Sequence, residues 1–257
     1  MTLITIISDW KNDDYYTGMI TGLIKANISD ADIIEITNKI ENFNIYQAAF
    51  IANNTIKYFP KGSIHIIAVS SEAGKEQKHI IIKHNGNYII SSDNGIPGLM
   101  FKTTPELVVE LDTISEQGTF PELNIFAKVA VFIAKGGDIK TLGTEKNHLY
   151  RQIDAMPGIG SDYISGTVIY NDSFGNAITN ISKEMFENYR KERDFSIHFV
   201  SASYVIKKIN KLYSEVEEGE KLAVFNTLGL LEIAINKGSA EKLLGLEKGT
   251  NIKIRFK

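Results

Sequence analysis

Short, continuous apolar runs alternate with segments of helical periodicity in the first half of the chain. Residues 3–8 form an apolar run that is typical of a strand buried on both faces of a sheet. After Asp14 the period changes, and the apolar residues fall on one face of a helix: Tyr16, Met19, Ile20, Leu23 and Ile24. Strands and helices that alternate at this spacing predict an α/β layer with a largely parallel sheet.

The same alternation continues to about residue 143. The further predicted strands are residues 32–37, 63–69, 79–83, 88–91 and 107–111. Asn85-Gly86 joins two of them and is a strong hairpin signal. Two more amphipathic helices are predicted, one running from Ile45 to Pro60 and one through residues 125–133 that ends at Gly136-Gly137.

The second half has a different composition. Residues 147–162 contain Pro157 and two glycines with little periodicity, which is typical of a linker. The segments beyond it are short and β-like, at residues 164–170, 177–181, 195–200, 222–226 and 252–256, with one helix at residues 239–244. The predicted fold class is therefore α/β, with an N-terminal α/β sheet domain (residues 1–146), a linker (147–162) and a smaller C-terminal β-barrel domain (163–257).

Composition excludes several classes of partner. The 257 residues are 43% hydrophobic and 23% charged, as in a soluble globular protein. A net charge of −3, without a cluster of basic residues, argues against nucleic acid as a partner. The chain has no cysteine, which fits a reducing compartment, and no apolar stretch approaches the ~18 residues that a membrane helix needs. We therefore expect a cytoplasmic protein with no membrane partner.

A polar cluster follows the first predicted strand. In open α/β sheets, ligands bind beyond the carboxyl ends of the strands. Asp9 lies at such an end, where its carboxylate could accept hydrogen bonds from both hydroxyls of a ribose. Asp13 and Asp14 have a second interpretation, because either could cap the helix that begins there.

A second polar run spans residues 172–180, where two β-like segments flank a turn. The side chain of Asn176 offers both a donor and an acceptor and could match the edge of an adenine. The alternative is that residues 172–176 are ordinary turn chemistry, as residues 93–95 are expected to be. None of the histidines pairs with a second ligand at metal-binding spacing, so no metal site is predicted.

These runs resemble, in order, those of the S-adenosyl-L-methionine (SAM) hydroxide adenosyltransferases, relatives of the fluorinating and chlorinating enzymes. The runs that carry the resemblance are Asp9 with Asp14 and Tyr16, residues 41–45, 58–62, 93–95, 172–180 and 229–240. The resemblance covers nearly the whole chain. It implies a homotrimer whose sites form between the N-terminal domain of one subunit and the C-terminal domain of its neighbour. It also implies SAM or adenosine as the bound molecule, with SAM a substrate or ligand and no separate cofactor.

Five ligand-binding residues follow from the resemblance. Asp9 matches the position that holds the ribose hydroxyls, and Phe43 an aromatic position that lines the nucleoside pocket. Asp172 matches the carboxylate that faces the methionine ammonium, and Asn176 the amide at the adenine edge. Thr227 lies where a hydroxyl residue helps to hold the methionine end.

The catalytic triad of the hydrolases is replaced in this chain. Their Asp-Pro-Gly-Val-Gly-x-x-Arg run corresponds to residues 70–77, with Ser70 at the aspartate and Gln77 at the arginine. Pro121 stands where the family's histidine would lie. Glu72 and Glu122 are new carboxylates beside the lost positions, and either could activate water. The alternative is that both are solvated loop charges.

Two functions of different classes remain open at this point. The chain could be an enzyme that cleaves SAM at the ribose C5′ to give adenosine and methionine. It could instead be a pseudoenzyme that binds SAM or a nucleoside without turnover. Adenosyl transfer to a different nucleophile is a third possibility, because a halide needs desolvation and no base.

Overall fold

The computed structural model describes residues 2–11, 14–72, 77–101, 103–112, 118–152 and 156–257, with the backbone alone at residues 202 and 203. The chain divides into two units, Met1–Ile153 and Asp154–Lys257. Among the described residues, no helix is both long and apolar enough to cross a lipid bilayer.

The first unit is built on a seven-stranded sheet in the order β2-β1-β3-β5-β4-β6-β7. Its strands are β1 (Leu3–Ser8), β2 (Asp32–Thr37), β3 (Ile64–Ala68), β4 (His79–His84), β5 (Asn87–Ser92), β6 (Leu107–Leu111) and β7 (Gly143–Glu145). β1 runs parallel to β2 and β3, and β3 runs parallel to β5. β4, β6 and β7 pair in antiparallel fashion. The largely parallel sheet that the alternation predicts is therefore a mixed sheet, because the β4–β5 connection is a hairpin and has no crossover helix.

The hairpin turn has the predicted chemistry. Asn85 and Gly86 adopt φ values of 50° and 81°. Positive φ at both central residues is what a type I′ turn requires, and asparagine followed by glycine tolerates it best. The dipeptide therefore sets the register of β4 against β5.

Helices cover both faces of this sheet. They are α1 (Tyr16–Asn27), α2 (Ile45–Thr55), α3 (Ile96–Met100) and α4 (Ala127–Ala134). Ile4 and Ile6 of β1 share a core with α1 and α4, whereas Ile7 shares the opposite core with α2 and α3. Successive side chains of a strand point to opposite faces. The continuous apolar run at residues 3–8 is thus explained by burial on both faces, as predicted.

A π-helical turn precedes α4. Residues Glu122–Phe126 form it, and the N–H of Ala127 bonds to the carbonyl of Glu122. Single π turns of this kind are rare and occur frequently at functional sites. The apolar period correctly predicts a helix through residues 125–133, but it carries no signal for the wider turn at its start.

The second unit is an almost closed β-barrel. Its strands are β8 (Gly158–Ile159), β9 (Tyr163–Asn171), β10 (Ala177–Ser182), β11 (Phe195–Phe199), β12 (Ser201–Ile206), β13 (Lys221–Phe225), β14 (Leu230–Ile235) and β15 (Asn251–Phe256). Seven of them follow the order β12-β11-β15-β9-β10-β14-β13, and β8 pairs with β9. Asn210, just after β12, forms a parallel bridge to Val224 of β13, so the two ends of the sheet approach each other. The predicted barrel is confirmed.

Two helices complete the second unit, α5 (Lys183–Arg190) and α6 (Ala240–Leu244). Ser239 caps α6 by accepting a hydrogen bond from the N–H of Lys242, as the predicted helix boundary implies. The sequence pattern does not predict α5, because its mostly polar sequence shows one apolar anchor, Phe186. That ring is buried against Phe195 and Phe256.

One buried histidine should make stability depend on pH. His65 of β3 is 1% exposed, and its Nδ1 lies 2.7 Å from the hydroxyl of Thr5. Burial lowers the pKa of His65 from its ordinary value of 6.5 to about 4. The unfolded chain therefore binds a proton that the folded chain excludes, and stability falls as the pH drops from 6.5 towards 4.

We expect His65→Asn to reduce this acid sensitivity. Between pH 7 and pH 4 the free energy of unfolding of the wild type should fall by on the order of 3 kcal/mol more than that of the variant. Urea unfolding at several pH values measures the difference, with the exposed His148→Asn as a matched control. Identical pH dependences for the wild type and His65→Asn would show that His65 is not kept neutral by the fold.

Candidate functional site

Two strand ends meet at one edge of the first sheet. β1 and β3 are parallel neighbours, and Ser8 pairs with Ala68. Asp9 follows β1 directly, and residues 69–71 follow β3. The carboxyl ends of parallel strands lie at the same edge of a sheet. The structure therefore brings Asp9 and Ser70 to one edge, where sequence reasoning expects a ligand.

Asp9 holds the loop that carries Phe43. The side chain of Asp9 is 8% exposed, and its Oδ2 accepts a hydrogen bond of 2.9 Å from the backbone N–H of Phe43. Phe43 adopts a φ of 63°, which is unusual for a residue with a side chain, and its ring is 73% exposed. These two predicted ligand residues are thus neighbours, and the Asp9 carboxylate fixes the backbone of the residue that carries the exposed ring.

Asp14 does not cap α1. Its carboxylate accepts a hydrogen bond of 2.8 Å from the N–H of Tyr15, ahead of the helix. Tyr15 occupies the cap position without a side-chain cap bond. Asp13, the other candidate cap, lies outside the described residues.

Aromatic side chains surround this edge of the sheet. Trp10 lies 6.0 Å from Tyr16 and 5.5 Å from Phe120, measured between ring centroids, and Tyr16 lies 4.8 Å from Phe120. These contacts bring the segment before the π turn next to Asp9. Sequence reasoning missed this cluster. Its one signal is the concentration of aromatic residues directly after Asp9.

Glu122 is a buried carboxyl beside Asp9, so the interpretation as a solvated loop charge is wrong for it. Its side chain is 6% exposed. Burial raises the pKa of the Glu122 carboxyl, its own N–H and the Ser71 hydroxyl lower that pKa, and the charge of Asp9 raises it further. The Ser71 hydroxyl is thus a weak hydrogen-bond partner of the carboxyl, because no bond of normal geometry joins that hydroxyl to any described residue. Glu72, in contrast, is exposed and fits that interpretation.

Two of the residues that the resemblance places at the triad positions, Ser70 and Gln77, contact each other through the local backbone. Gln77 Nε2 donates to the carbonyls of Ser70 at 2.8 Å and Glu72 at 2.6 Å. The same carbonyl of Ser70 also accepts a hydrogen bond of 3.0 Å from Asn94 Nδ2. Pro121 precedes the π turn and has no titratable group. Ser70, Gln77 and Pro121 therefore offer no general base.

The turn at residues 93–95 is structural and supports the same edge. Gly95 has a φ of 103°, in the left-handed region that favours glycine. Asn94 donates from Nδ2 to the carbonyls of Val69 and Ser70 and accepts from the N–H of Ile96 at 3.1 Å. The end of β3 is thereby locked to the start of α3.

In the second unit, Asp172 organises its own turn. Its Oδ1 accepts from the N–H groups of Phe174 and Asn176, each at 2.9 Å. Its Oδ2 accepts a hydrogen bond of 3.0 Å from Nδ2 of Asn176. The two predicted ligand residues are therefore bonded to each other, and the turn interpretation describes their contacts within the chain.

This turn packs against the start of α6. Gly175 has a φ of 78°, and its carbonyl accepts from the N–H of Glu241 at 2.9 Å. A Cβ at Gly175 would lie 2.1 Å from the hydroxyl of Ser239. Only glycine fits this close approach, so Gly175 allows the turn at residues 172–176 to pack directly against the start of α6.

Thr227 lies at the exposed tip of the β13–β14 connection. Asn226 shapes this connection, because its Oδ1 accepts from the N–H groups of Leu228 at 3.0 Å and Leu230 at 3.2 Å. Gly229 supplies a φ of 71°. Thr227 is thus an exposed side chain on a turn that the side chain of Asn226 stabilises.

A buried carboxylate supports the same turn. Glu232 is 2% exposed and accepts from Asn226 Nδ2 at 3.1 Å and from the Tyr213 hydroxyl at 2.6 Å. Burial, the bond to Glu232 and the charges of Glu232 and Asp172 all raise the pKa of Tyr213. Tyr213 is therefore a neutral donor to Glu232, within reach of the charge of Asp172.

The described residues contain no group of three histidine, cysteine, aspartate or glutamate side chains placed to hold a metal ion.

Asn226 and Thr227 should differ sharply in their effect on stability. Asn226→Ala removes a partner from the buried Glu232 and two acceptor contacts from the turn, so we expect a loss of about 2 kcal/mol in the free energy of unfolding. Thr227→Ala changes an exposed tip and should stay within about 0.5 kcal/mol of the wild type. Urea unfolding of both variants measures this. Equal losses would refute the role given to Asn226.

Comparisons with known proteins cover both units. The sequence matches the SAM hydroxide adenosyltransferase N-terminal domain over residues 4–143 and the C-terminal domain of that family over residues 166–253. A crystal structure of an uncharacterized conserved protein from Thermotoga maritima superposes with a TM-score of 0.87 at 25% identity, covering 98% of this chain and 99% of that one. A conserved hypothetical protein from Thermus thermophilus gives a TM-score of 0.77 at 23% identity over the full length of both chains. The second likeness shows the fold alone.

Two relatives carry the same name. The (R)-S-adenosyl-L-methionine hydrolase of Methanocaldococcus jannaschii is 30% identical over 269 residues, covering 100% of this chain and 97% of that protein. The (R)-S-adenosyl-L-methionine hydrolase of Thermus thermophilus is 22% identical over 267 residues, covering 99% and 100%. With both domain matches and a full-length relative at 30% identity, the chain belongs to the SAM hydroxide adenosyltransferase family.

Proposed function

We propose that this protein cleaves SAM at the ribose C5′ and forms adenosine and methionine, with water as the source of the new hydroxyl. One observation carries the proposal: a buried carboxylate, Asp9, directly follows β1 and precedes Trp10, whose ring packs against those of Tyr16 and Phe120. A carboxylate can accept both ribose hydroxyls, and aromatic faces attract the sulfonium cation of SAM. The names of the relatives supply the same substrate.

The chemistry is a displacement at one carbon. The oxygen of water bonds to C5′ while the C5′–S bond breaks, and its electron pair goes to the sulfur of methionine. The water loses one proton, so the products are adenosine, methionine and H⁺. A sulfonium is a good leaving group without prior protonation. The protein therefore has to position the two reactants, exclude bulk water and accept one proton.

The second unit of a neighbouring subunit would supply the remaining contacts. In this proposal Asp172 faces the methionine ammonium, Asn176 the adenine edge and Thr227 the methionine end. An amide has two N–H donors and a carbonyl acceptor, so the bond from Asn176 to Asp172 is compatible with a further contact to adenine. We also propose the homotrimer that the family resemblance implies, with sites completed by a neighbouring subunit, which the mass of the protein in solution tests.

A pseudoenzyme is the second candidate. Two observations favour it. Gln77 donates a hydrogen bond to the carbonyl of Ser70, and position 121 is a proline, so neither position that the resemblance assigns to catalysis offers a base. Such a protein would bind SAM or adenosine and leave the C5′–S bond intact. A halide as nucleophile is a variant of the enzymatic proposal, and it predicts a rate that depends on chloride.

We expect purified protein to convert SAM into equal amounts of adenosine and methionine, followed by chromatography with chloride absent and present. Asp9→Ala should lower kcat/KM by about 10²-fold, because it removes charged hydrogen bonds to the ribose. In Asp9→Asn the side-chain carbonyl can still accept from the N–H of Phe43, whereas the negative charge is lost. This variant therefore distinguishes the effect of Asp9 on the Phe43 loop from its effect on the ribose. The exposed Asp30→Ala is the matched control.

Each alternative has its own signature in this experiment. Binding of SAM by calorimetry without any product would establish the pseudoenzyme and reject the hydrolase. A halogenated nucleoside that forms only with chloride would identify a halide as the nucleophile. Full activity in Asp9→Ala would show that Asp9 does not bind the ribose and would contradict the proposal.

A further inference from the structure

The segment around Glu122 is held at both ends against the sheet edge. Before it, Phe120 contacts Trp10 at 5.5 Å between centroids. After it, Phe126 contacts the ring of His79 in an edge-on arrangement at 5.1 Å. The π turn between these two anchors begins at Glu122, so packing against Trp10 and His79 sets the position of this carboxyl.

The Ser71 hydroxyl is buried beside the Glu122 carboxyl. The carbonyl of Ser71 is fixed by the ring nitrogen Nε2 of His79 at 2.8 Å and by the hydroxyl of Ser92 at 3.0 Å. Its hydroxyl, in contrast, interacts with the Glu122 carboxyl but forms no hydrogen bond of normal geometry with any described residue. Buried polar groups in native proteins are nearly always well paired, so a hydroxyl bonded this loosely calls for a further polar partner in the working state. A water molecule between Ser71 and Glu122 would meet that need.

Asp9 and Glu122 are suited to different tasks. Asp9 is already committed to the N–H of Phe43, and its position fits the ribose. Glu122 lies within reach of the charge of Asp9, and two close carboxylates in a poorly solvated place favour proton uptake by one of them. Divergent environments for two neighbouring carboxyl groups are typical of an acid–base site.

We propose that Glu122 is the general base of this protein and replaces the family's missing triad. The inference rests on the proposed cleavage of SAM. As the water oxygen bonds to C5′ and the C5′–S electron pair leaves with sulfur, one water proton passes to the Glu122 carboxylate and from there to solvent. The Ser71 hydroxyl holds the water in place.

Side chains from three elements surround the place of Glu122. Asp9 follows β1, Tyr16 opens α1, and His79 opens β4. A hydrogen bond with Tyr15 raises the pKa of Tyr16, and burial lowers the pKa of His79, so both are neutral near pH 7. Burial raises the pKa of Glu122 above its ordinary value of 4.5. The rate should therefore fall on acidification at a pH above that value.

Glu122→Gln tests the proposal, because it keeps the shape of the side chain and removes the base. We expect kcat to fall by about 10²- to 10⁴-fold and the acid limb of the pH profile to disappear. The Kd for SAM by calorimetry should stay within about threefold, since Glu122 is not a ligand-binding group. Glu122→Asp should recover part of kcat. Glu35→Gln, an exposed carboxylate of the same unit, is the matched control, and Glu72→Gln tests the rival position.

The outcomes separate this inference from the proposed function. A wild type that releases adenosine, together with a Glu122→Gln variant of unchanged kcat and pH profile, overturns the inference and leaves the function intact. A large loss in Glu72→Gln alone would transfer the role to Glu72. Absence of turnover in the wild type overturns both. If Glu122→Gln lowers the melting temperature markedly, the pH profile of Glu122→Asp decides, because replacing a purely structural residue would leave the acid limb where it is in the wild type.

Discussion

The candidate site depends on the parallel register of β1 and β3. Because Ser8 pairs with Ala68, the chain leaves both strands at the same level. Asp9 and Ser71 are thereby brought to one edge, although they are distant in sequence. Asn94 then ties the end of β3 to α3, and the ring cluster around Trp10 ties the segment of Glu122 to the end of β1. A change of register would separate all of these groups.

Two neighbouring carboxyl groups, Asp9 and Glu122, are buried at this edge of the sheet, and their burial destabilises the folded protein. A charge in a poorly solvated place is unfavourable, and a second one nearby raises the cost further. A hydrogen bond from the N–H of Phe43 partly compensates the buried carboxylate of Asp9. It offers Glu122 only its own N–H and a hydroxyl without a hydrogen bond of normal geometry. An arrangement that destabilises the ionised form persists most readily where proton uptake is useful, which links this unfavourable burial to the proposed chemistry.

Sequence patterns predict those parts of this protein that local physics determines. The strand ending at Ser8 and the turn at Asn85-Gly86 follow from period and from glycine conformation, and Asp9 could be placed from the end of the strand alone. Glu122 could not, because its burial comes from side chains that are distant in sequence, and residues 118–124 have no period that marks them as buried. Glu232 is likewise hidden in an apolar strand. Its partner Tyr213 comes from another segment.

Isotope labelling tests the central claim, attack of water on C5′, most directly. With unlabelled SAM in water enriched in ¹⁸O, mass spectrometry of the products reports where the new oxygen goes. The account predicts one ¹⁸O atom in adenosine and none in methionine. Adenosine without the label, or the absence of adenosine, would contradict it.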